Sequence, residues 1–463
     1  MSLPRPRLLI FLLLAAAQCV VQAEQKQPNI LWLSCEDISP HLGCYGYPNA
    51  TTPVLDDFAK ESVLFEHAYT TAGVCAPCRS AIITGMYQTS IGTQHMRCEA
   101  LLPEHVKPFT VWMKQAGYYC TNNSKQDYQF KTTKSTWHES SGKADWQNRP
   151  NDDQPFFSVF NFTGCHESGI ESTTKYKQVV GEGKVHDRDV VAASLPPYYP
   201  DTAVTRDDWG RYYDVITAMD TWVGEHLQRL ADAGLEEDTI VVYWSDHGVG
   251  LPRAKRWLYE SGTHVPLIIR VPRKWQALAG PDMLPGTRSK RMVSMIDLGP
   301  SMLSLAGVET PAHMQGEAFL GPFATEPRSY IFGARDRMDE RYDIIRMVRD
   351  QQFRYIRNYE PYKTWYQYMN TPEKGRTMLE IREAERGTAA PEVAQFLQPR
   401  KPLEELYDVN NDPHELHNLA NEPAYAEKLD ELRQQHLNWV VETRDLGADS
   451  RSRTAQAAKG VGF

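Results

Sequence analysis

Cys75-Ala76-Pro77-Cys78-Arg79, running on into Ser80-Ala81-Ile82-Ile83-Thr84-Gly85, sets a thiol, a proline, an arginine and a Thr-Gly at fixed offsets. Pro77 suits a first helical turn, where the amide hydrogen it lacks would go unpaired anyway. The free N–H groups and the positive dipole end of such a helix would lie beside Cys75 and Arg79. That is a seat for an anionic group with a nucleophile inside it. Glu36-Asp37 are adjacent carboxylates with no cation near them in sequence, and Asp246-His247 adds a third carboxylate and an imidazole. Crowded carboxylates need a neutralising cation, and hard oxygen ligands point to Ca2+ or Mg2+. Each feature also has a plainer reading, as a buried cysteine pair or as a solvated acidic loop.

The elements that must carry these residues favour the chemical reading. Asn29-Ile30-Leu31-Trp32-Leu33-Ser34 is a continuous apolar run of the kind that makes a buried central strand, and it stops at Glu36-Asp37. Pro155–Phe162 is a second such strand and leads to His166, while Thr239–Trp244 is a third and ends at Asp246-His247. Thr52 as N-cap and Pro53 at the first position open a helix whose apolar side is Leu55, Phe58 and Ala59. A long amphipathic helix is expected between Asp207 and Ala233, with Tyr212, Ile216, Met219, Val223, Leu227 and Leu230 on one face. Thr205 with Asp208 reads as its capping box and Gly234 as its stop. Alternating strands and helices predict an α/β fold with a mainly parallel central sheet flanked by helices. In such sheets ligands bind at the carboxyl edge, so the acidic pairs and His166 are expected to converge there.

From about Arg328 short strand-like segments at Ser329–Phe332, Ile344–Val348 and Phe353–Arg357 alternate with charged turns, and a helix follows from Pro423 to Glu442. These predict a smaller C-terminal α+β subdomain with an antiparallel sheet. The expected boundaries are a leader at 1–23, a catalytic domain at 24–327, a subdomain at 328–445 and a tail at 446–463.

The leader has Arg5 and Arg7 before the apolar run Leu8–Ala17, then Val21-Gln22-Ala23 as a small-x-small cleavage site. Secretion or periplasmic residence is therefore expected. A lipoprotein is disfavoured because Gln18 precedes Cys19, and no other segment is apolar enough to cross a membrane. The chain of 463 residues carries a net charge of −9 with its charges interspersed, which excludes the basic footprint of a nucleic-acid binder. Seven cysteines remain after the leader (Cys35, Cys44, Cys75, Cys78, Cys98, Cys120 and Cys165), an odd number with no zinc-type spacing. Asn49, Asn122 and Asn161 open glycosylation sequons.

On these motifs the mature chain resembles the formylglycine-dependent, type I sulfatases of the alkaline-phosphatase-like superfamily. Cys75-x-Pro77-x-Arg79 is similar to that family's signature, with Cys78 where serine is commoner. Glu36-Asp37, Cys75–Gly85, Lys125, His166, Asp246-His247 and Lys255 follow the family's order, and Lys255–Pro266 resembles its Lys-x-x-x-x-Glu-x-Gly run. Glu405-Leu406-Tyr407-Asp408, with Asp412-Pro413-His414-Glu415 and Asn418-Leu419, is similar to its C-terminal hallmark. The resemblance implies that a formylglycine-generating enzyme oxidises Cys75 to the aldehyde, whose hydrate attacks sulfur. It also implies Ca2+, or Mg2+, held by Glu36, Asp37, Asp246, His247 and residue 75. Arg79, Lys125 and Lys255 would then face the sulfate oxygens, and His166 or Lys255 would protonate the leaving group.

The chain departs from the family at Lys125-Gln126-Asp127, where Lys-x-His is common; Asp127, His95 and His138 are candidates for the missing histidine's part. His264 stands where arginine is frequent and reads as a packing or substrate contact. The segments Tyr87–Arg97 and Trp137–Arg149, with His95, Arg97 and His138, suit the grip on an acidic sugar. The likeness is nearest to bacterial carbohydrate sulfatases related to N-sulfoglucosamine sulfohydrolases. The expected function is therefore a secreted sulfatase whose substrate is a sulfated oligo- or polysaccharide, with the O-sulfate or N-sulfo leaving group open. A phosphodiester or phosphonate hydrolase of the same superfamily is the alternative, followed by a non-catalytic sulfated-glycan binder.

Overall fold

The computed structural model describes residues 27–182, 185–387 and 389–448. The leader and residues 449–463 of the expected tail lie outside the described residues. Among those described, eight strands form the main sheet: β1 (Asn29–Cys35), β2 (Val63–Tyr69), β3 (Tyr119–Asn123), β4 (Glu139–Ser140), β5 (Phe156–Phe162), β6 (Thr239–Ser245), β7 (Leu267–Arg270) and β8 (Thr287–Ser294). Their spatial order is β4-β3-β5-β1-β6-β7-β2-β8, and β7 alone runs against the rest. All seven residues of β1 are buried between β5 and β6, which is why its sequence is a continuous apolar run rather than an alternating one. Trp32 meets Phe157 and Trp244 edge-on at 5.0 and 5.4 Å, joining the three strands through one aromatic cluster.

Register sets the site. Cys35 of β1 pairs with Phe162 of β5 and Ser245 of β6, so the three strands end level. The residues just beyond them, Glu36-Asp37, Thr163–His166 and Asp246-His247, leave the sheet at one edge. β2 and β3 run the same way, so Cys75 and Lys125 follow their carboxyl ends as well.

Two expected caps are built differently. Helix α1 (Pro53–Lys60) does start at Pro53, but the Thr52 hydroxyl accepts the Gly43 N–H (3.0 Å) instead of capping it. The N–H groups of Val54 and Leu55 are taken by the Asp220 carboxylate, at 3.0 and 2.8 Å, from the neighbouring long helix. α2 (Cys75–Thr84) follows, and then that long helix, α3 (Ala203–Asp232), begins four residues before Asp207 with Thr202 as its N-cap, accepting the Thr205 N–H at 3.2 Å. Asp208 is unavailable for a capping box because it binds the Thr377 N–H (3.0 Å) and Arg376. Gly234 ends the helix as expected, at φ +66°.

The C-terminal subdomain is a separate antiparallel sheet of β9 (Ile331–Arg335), β10 (Ile345–Arg349), β11 (Phe353–Asn358) and β12 (Glu404–Asp408), ordered β12-β11-β10-β9. The Glu405-Leu406-Tyr407 run, read above as a motif, is its edge strand. Helix α4 (Ala426–Glu442) covers it, with Leu429 and Leu432 against Val348, Tyr355 and Leu406. Leu446 then returns to the main domain, donating its N–H to the Thr89 carbonyl at 3.0 Å. The seven cysteines from Cys35 to Cys165 are free thiols. No helix among the described residues is long and apolar enough to cross a membrane.

Candidate active site

Cys75 is the first residue of α2, a helix in which all ten residues are buried. Val74 before it is extended and offers no side-chain cap, so the amides of the first turn keep their donor capacity beside the thiol. Burial pushes the Cys75 thiol well above its ordinary range, Asp127 adds to this, and Lys125 and Lys255 oppose it. An unmodified Cys75 is therefore a protonated, weak nucleophile. Cys78 is fully buried, its thiol directed to the Cys75 carbonyl at 3.1 Å.

Asp37, Asp246 and His247 bring one ligand atom each to within 4.8 Å of one another, all three fully buried. His247 Nδ1 lies 3.0 Å from the Gly248 carbonyl, which can only accept, so in the neutral ring it is Nε2 that carries the lone pair. That lone pair faces Asp37 Oδ1 at 3.0 Å, and neither atom has a hydrogen-bond donor. Two buried acceptors so close repel each other unless a proton on Nε2 or a shared cation stands between them, and the Asp-Asp-His donor set fits a cation. Asp37 adopts a left-handed backbone (φ +56°), which aspartate tolerates at a cost of roughly 1 kcal/mol, and its N–H reaches Asp246 Oδ1 at 3.3 Å. A Cβ at position 250 would come within 2.6 Å of Asp37 Oδ2, so Gly250 is required there.

Glu36 is not part of this tight set. Its Oε1 pairs with Lys125 Nζ at 2.7 Å, while Oε2 is buried without a hydrogen-bond partner. Arg79 is held from two sides, Nε on Asp246 Oδ2 (2.8 Å) and Nη1 on Asn161 Oδ1 (2.9 Å), with its Nη2 left without an acceptor. Asn161 in turn donates to Asn122 Oδ1 at 3.1 Å. These two asparagines, legible in sequence only as sequons, form the polar support beneath Arg79.

Lys255 is fully buried, its Nζ 2.7 Å from Asp37 Oδ2 and 3.3 Å from Glu167 Oε1. Burial works to lower its pKa, but Asp37 and then Glu167 raise it well above the usual lysine range, so it stays charged. Glu167 also takes Arg256 in a two-pronged pair at 2.8 and 3.0 Å. Arg256 continues to Asp339 of the β9–β10 connection at 2.6 Å. Glu167 and Arg256 were not singled out in the sequence, although each sits directly beside a residue that was. The C-terminal subdomain anchors the same segment: Glu405 accepts the Tyr259 hydroxyl (2.9 Å), and Glu415 accepts the Glu260 N–H (2.7 Å).

His166 caps the short helix Glu167–Glu171 and lines an open cleft of about 360 Å³ together with Glu36, Lys125, Ser168, Lys175 and Gln178. Asp127 lies at this centre too, bound to Arg97 Nη1 at 2.9 Å and 3.7 Å from Lys125 Nζ. Burial alone would raise its pKa, but Lys125, the Cys75 thiol and Arg97 hold it below the usual carboxylate value. Arg97 is exposed and reaches the centre through Asp127. His95 stands one loop away, its Nδ1 accepting the Arg337 N–H at 3.4 Å. His138 and His264 are not brought into the cluster. His138 accepts the Cys120 N–H (3.0 Å) near the start of β3, about 10 Å of strand from its carboxyl end. His264 stacks on Tyr69 and bonds the Glu66 carbonyl at 2.9 Å.

A thiol at a helix start, the cations Arg79, Lys125 and Lys255, and a buried acid–histidine set thus meet at one sheet edge. The family model for sulfatases matches residues 28–151 and 142–308, and the model for the C-terminal region of N-sulphoglucosamine sulphohydrolase matches residues 253–384. An ulvan-active sulfatase of Formosa agariphila is 41% identical over 461 residues, covering 91% of this chain and 76% of that protein. The human N-sulphoglucosamine sulphohydrolase is 27% identical, with 90% of each chain covered. Among solved structures, the protein yidJ of Bacteroides fragilis superposes with a TM-score of 0.68 at 19% identity over 92% of this chain and 97% of its own. The fold, the ordered site motifs and these matches together establish that the chain belongs to the sulfatase family, the hydrolases of sulfuric esters.

Proposed function

We propose that this protein is an exported sulfatase that removes sulfate from a sulfated carbohydrate, using formylglycine at position 75 and a bound divalent cation. The observation that carries this reading is the convergence of Cys75, Arg79, Lys125 and Lys255 with the buried Asp37–Asp246–His247 set at one sheet edge. The carbohydrate is supported by the relatives, one named for ulvan and one for N-sulphoglucosamine. A sulfate ester is the first reading of the scissile group, because the ulvan-active relative shares more of this sequence. An N-sulfo group is the second, favoured by the C-terminal match at residues 253–384. Export rests on the leader-type N-terminus.

Asp37, Asp246 and His247 would hold the cation, Ca2+ or Mg2+, with Glu36 Oε2 and residue 75 completing its shell. Bound there, the cation and the hydrated aldehyde together supply an acidified oxygen nucleophile and a Lewis acid for the sulfate oxygens. The rest of the work belongs to side chains on this chain. Lys125 and Lys255 set fixed positive charge where the sulfate's negative charge grows. Arg79, clamped by Asp246 and Asn161, keeps one N–H free for an anionic oxygen. Asp127 occupies the place of the missing histidine beside residue 75, and His166 faces the bond to the leaving group. Arg97 with Asp127, and Lys175 at the cleft rim, would meet the sugar.

The test is inorganic sulfate release from O-sulfated and N-sulfated oligosaccharides by protein co-expressed with a formylglycine-generating enzyme, with Cys75→Ala as control. Cys75-dependent release from one class is expected. Hydrolysis of phosphodiesters without sulfate release would replace this reading with the phosphodiester alternative.

A further inference from the structure

His166 is held by a chain of hydrogen bonds that runs from the site to the cleft rim. Its Nδ1 receives the Ser168 N–H at 3.3 Å and lies 3.0 Å from the Ser168 hydroxyl oxygen. Lys175 Nζ lies 3.0 Å from that same oxygen. An ammonium group has only hydrogens to give, so Ser168 Oγ accepts from Lys175 and its own hydrogen is free for His166 Nδ1. A backbone N–H likewise only donates. Nδ1 therefore serves two donors as an acceptor, and the single hydrogen of a neutral ring is left on Nε2.

The segment around it has little freedom. The Gly169 N–H bonds the His166 carbonyl at 2.6 Å, and a Cβ on Gly169 would lie 2.2 Å from the Gly164 carbonyl oxygen. Nε2 is turned toward the acid–lysine cluster, 4.0 Å from Glu167 Oε1. Burial, then Lys255, push the imidazole down to about 4 against the pull of Asp37 and Glu167, with Lys125 also opposing its charge. The ring is thus neutral at neutral pH.

We propose that Ser168 and Lys175 are positioning residues that fix His166 as the Nε2–H tautomer, so that it offers the substrate's leaving atom a hydrogen-bond donor rather than a transferable imidazolium proton. The role in turnover rests on the sulfatase reading; the tautomer does not.

The experiment is side-chain 15N NMR on the full chain labelled at histidine, with His166 assigned from His166→Gln. Near neutral pH the wild type should show a protonated Nε2 and a bare Nδ1. Ser168→Ala and Lys175→Met should produce a mixture of tautomers, and Ser168→Thr should restore the wild-type pattern. A protonated Nδ1 in the wild type, or a tautomer unmoved by both variants, would overturn the proposal. In turnover, His166→Gln keeps an amide N–H near the Nε2 position, whereas His166→Asn places its amide near Nδ1. The first should exceed the second by about tenfold or more in kcat, and Ser168→Ala should lower kcat with little change in KM. Equal activity of the two His166 variants would contradict the donor role. Protein with the expected tautomer that releases no sulfate would refute the sulfatase reading and leave the relay standing; sulfate release with a protonated Nδ1 would refute the relay alone.

Discussion

Asp37 Oδ1 and His247 Nε2 stand 3.0 Å apart, both buried and, with the ring neutral, both presenting lone pairs. A cation between them converts a repulsion into two bonds, so the folded chain should bind Ca2+ or Mg2+ while the unfolded chain does not. At a hundredfold excess over Kd such binding stabilises by about 2.7 kcal/mol. Thermal unfolding should therefore move to higher temperature on adding Ca2+ or Mg2+ and fall back with a chelator. His247→Ala should lose that response. An unchanged Tm in both conditions would speak against the cation.

Arg256 and Glu167 form a second buried pair, and Glu167 also neighbours Lys255. Removing one member of a buried pair leaves the other uncompensated, typically at a cost of about 3–5 kcal/mol. Arg256→Met should lower Tm markedly and reduce kcat through the displaced Glu167–Lys255 contact. Adding Glu167→Leu should recover part of the stability and none of the activity. Full stability in Arg256→Met alone would show that the pair is replaceable.

Glu171, one helical turn beyond Glu167, has its carboxyl pushed up to about 8, first by burial and then by the Glu167 charge. The folded state then binds this proton more tightly than the unfolded state does, whose value is near 4.5. Its contribution to stability is full below that lower value and is lost as pH rises toward 8. Wild-type Tm should fall relative to Glu171→Gln across this window, with the two closest at its acidic end. Parallel Tm profiles would contradict the raised value.

Asn122 and Asn161 are engaged beneath Arg79, and Asn122 is fully buried. In a glycosylating host, peptide mapping should find both unmodified, leaving Asn49 as the one of the three sequons open to a glycan. Asn161→Ala should misplace Arg79, and displacements near 1 Å can cost of the order of 10²-fold in rate. Wild-type kcat in that variant would remove Asn161 from the site.

The central strands were legible because strands buried on both faces must be apolar throughout, and their polar termini then mark the carboxyl edge. The placing of Glu36-Asp37, His166 and Asp246-His247 at one edge followed from those strand ends and that of Cys75 and Arg79 from the helix start at Pro77, whereas Lys125 and Lys255 entered only through the family resemblance. Partnerships set by tertiary distance could not. Glu167 meets Arg256 across 89 positions, and Arg79 meets Asn161 across 82. Glu36 looked equivalent to Asp37 in sequence, yet its longer arm pairs with Lys125 while Asp37 stays in the donor set. The first cap failed for the same reason, since Asp220 supplies across 165 positions what Thr52 was suited to give. The second is a shift along the chain from Thr205 to Thr202, with Asp208 drawn off to Thr377 and Arg376.

The most direct measurement is inorganic sulfate release by protein in which mass spectrometry shows residue 75 fully converted to the aldehyde. Sulfated carbohydrate and phosphodiester substrates should be assayed side by side with Cys75→Ala. The account predicts sulfate release from a sulfated carbohydrate that vanishes in Cys75→Ala and far exceeds phosphodiester hydrolysis. No sulfate from any sulfated substrate, with residue 75 converted and the cation present, would contradict it.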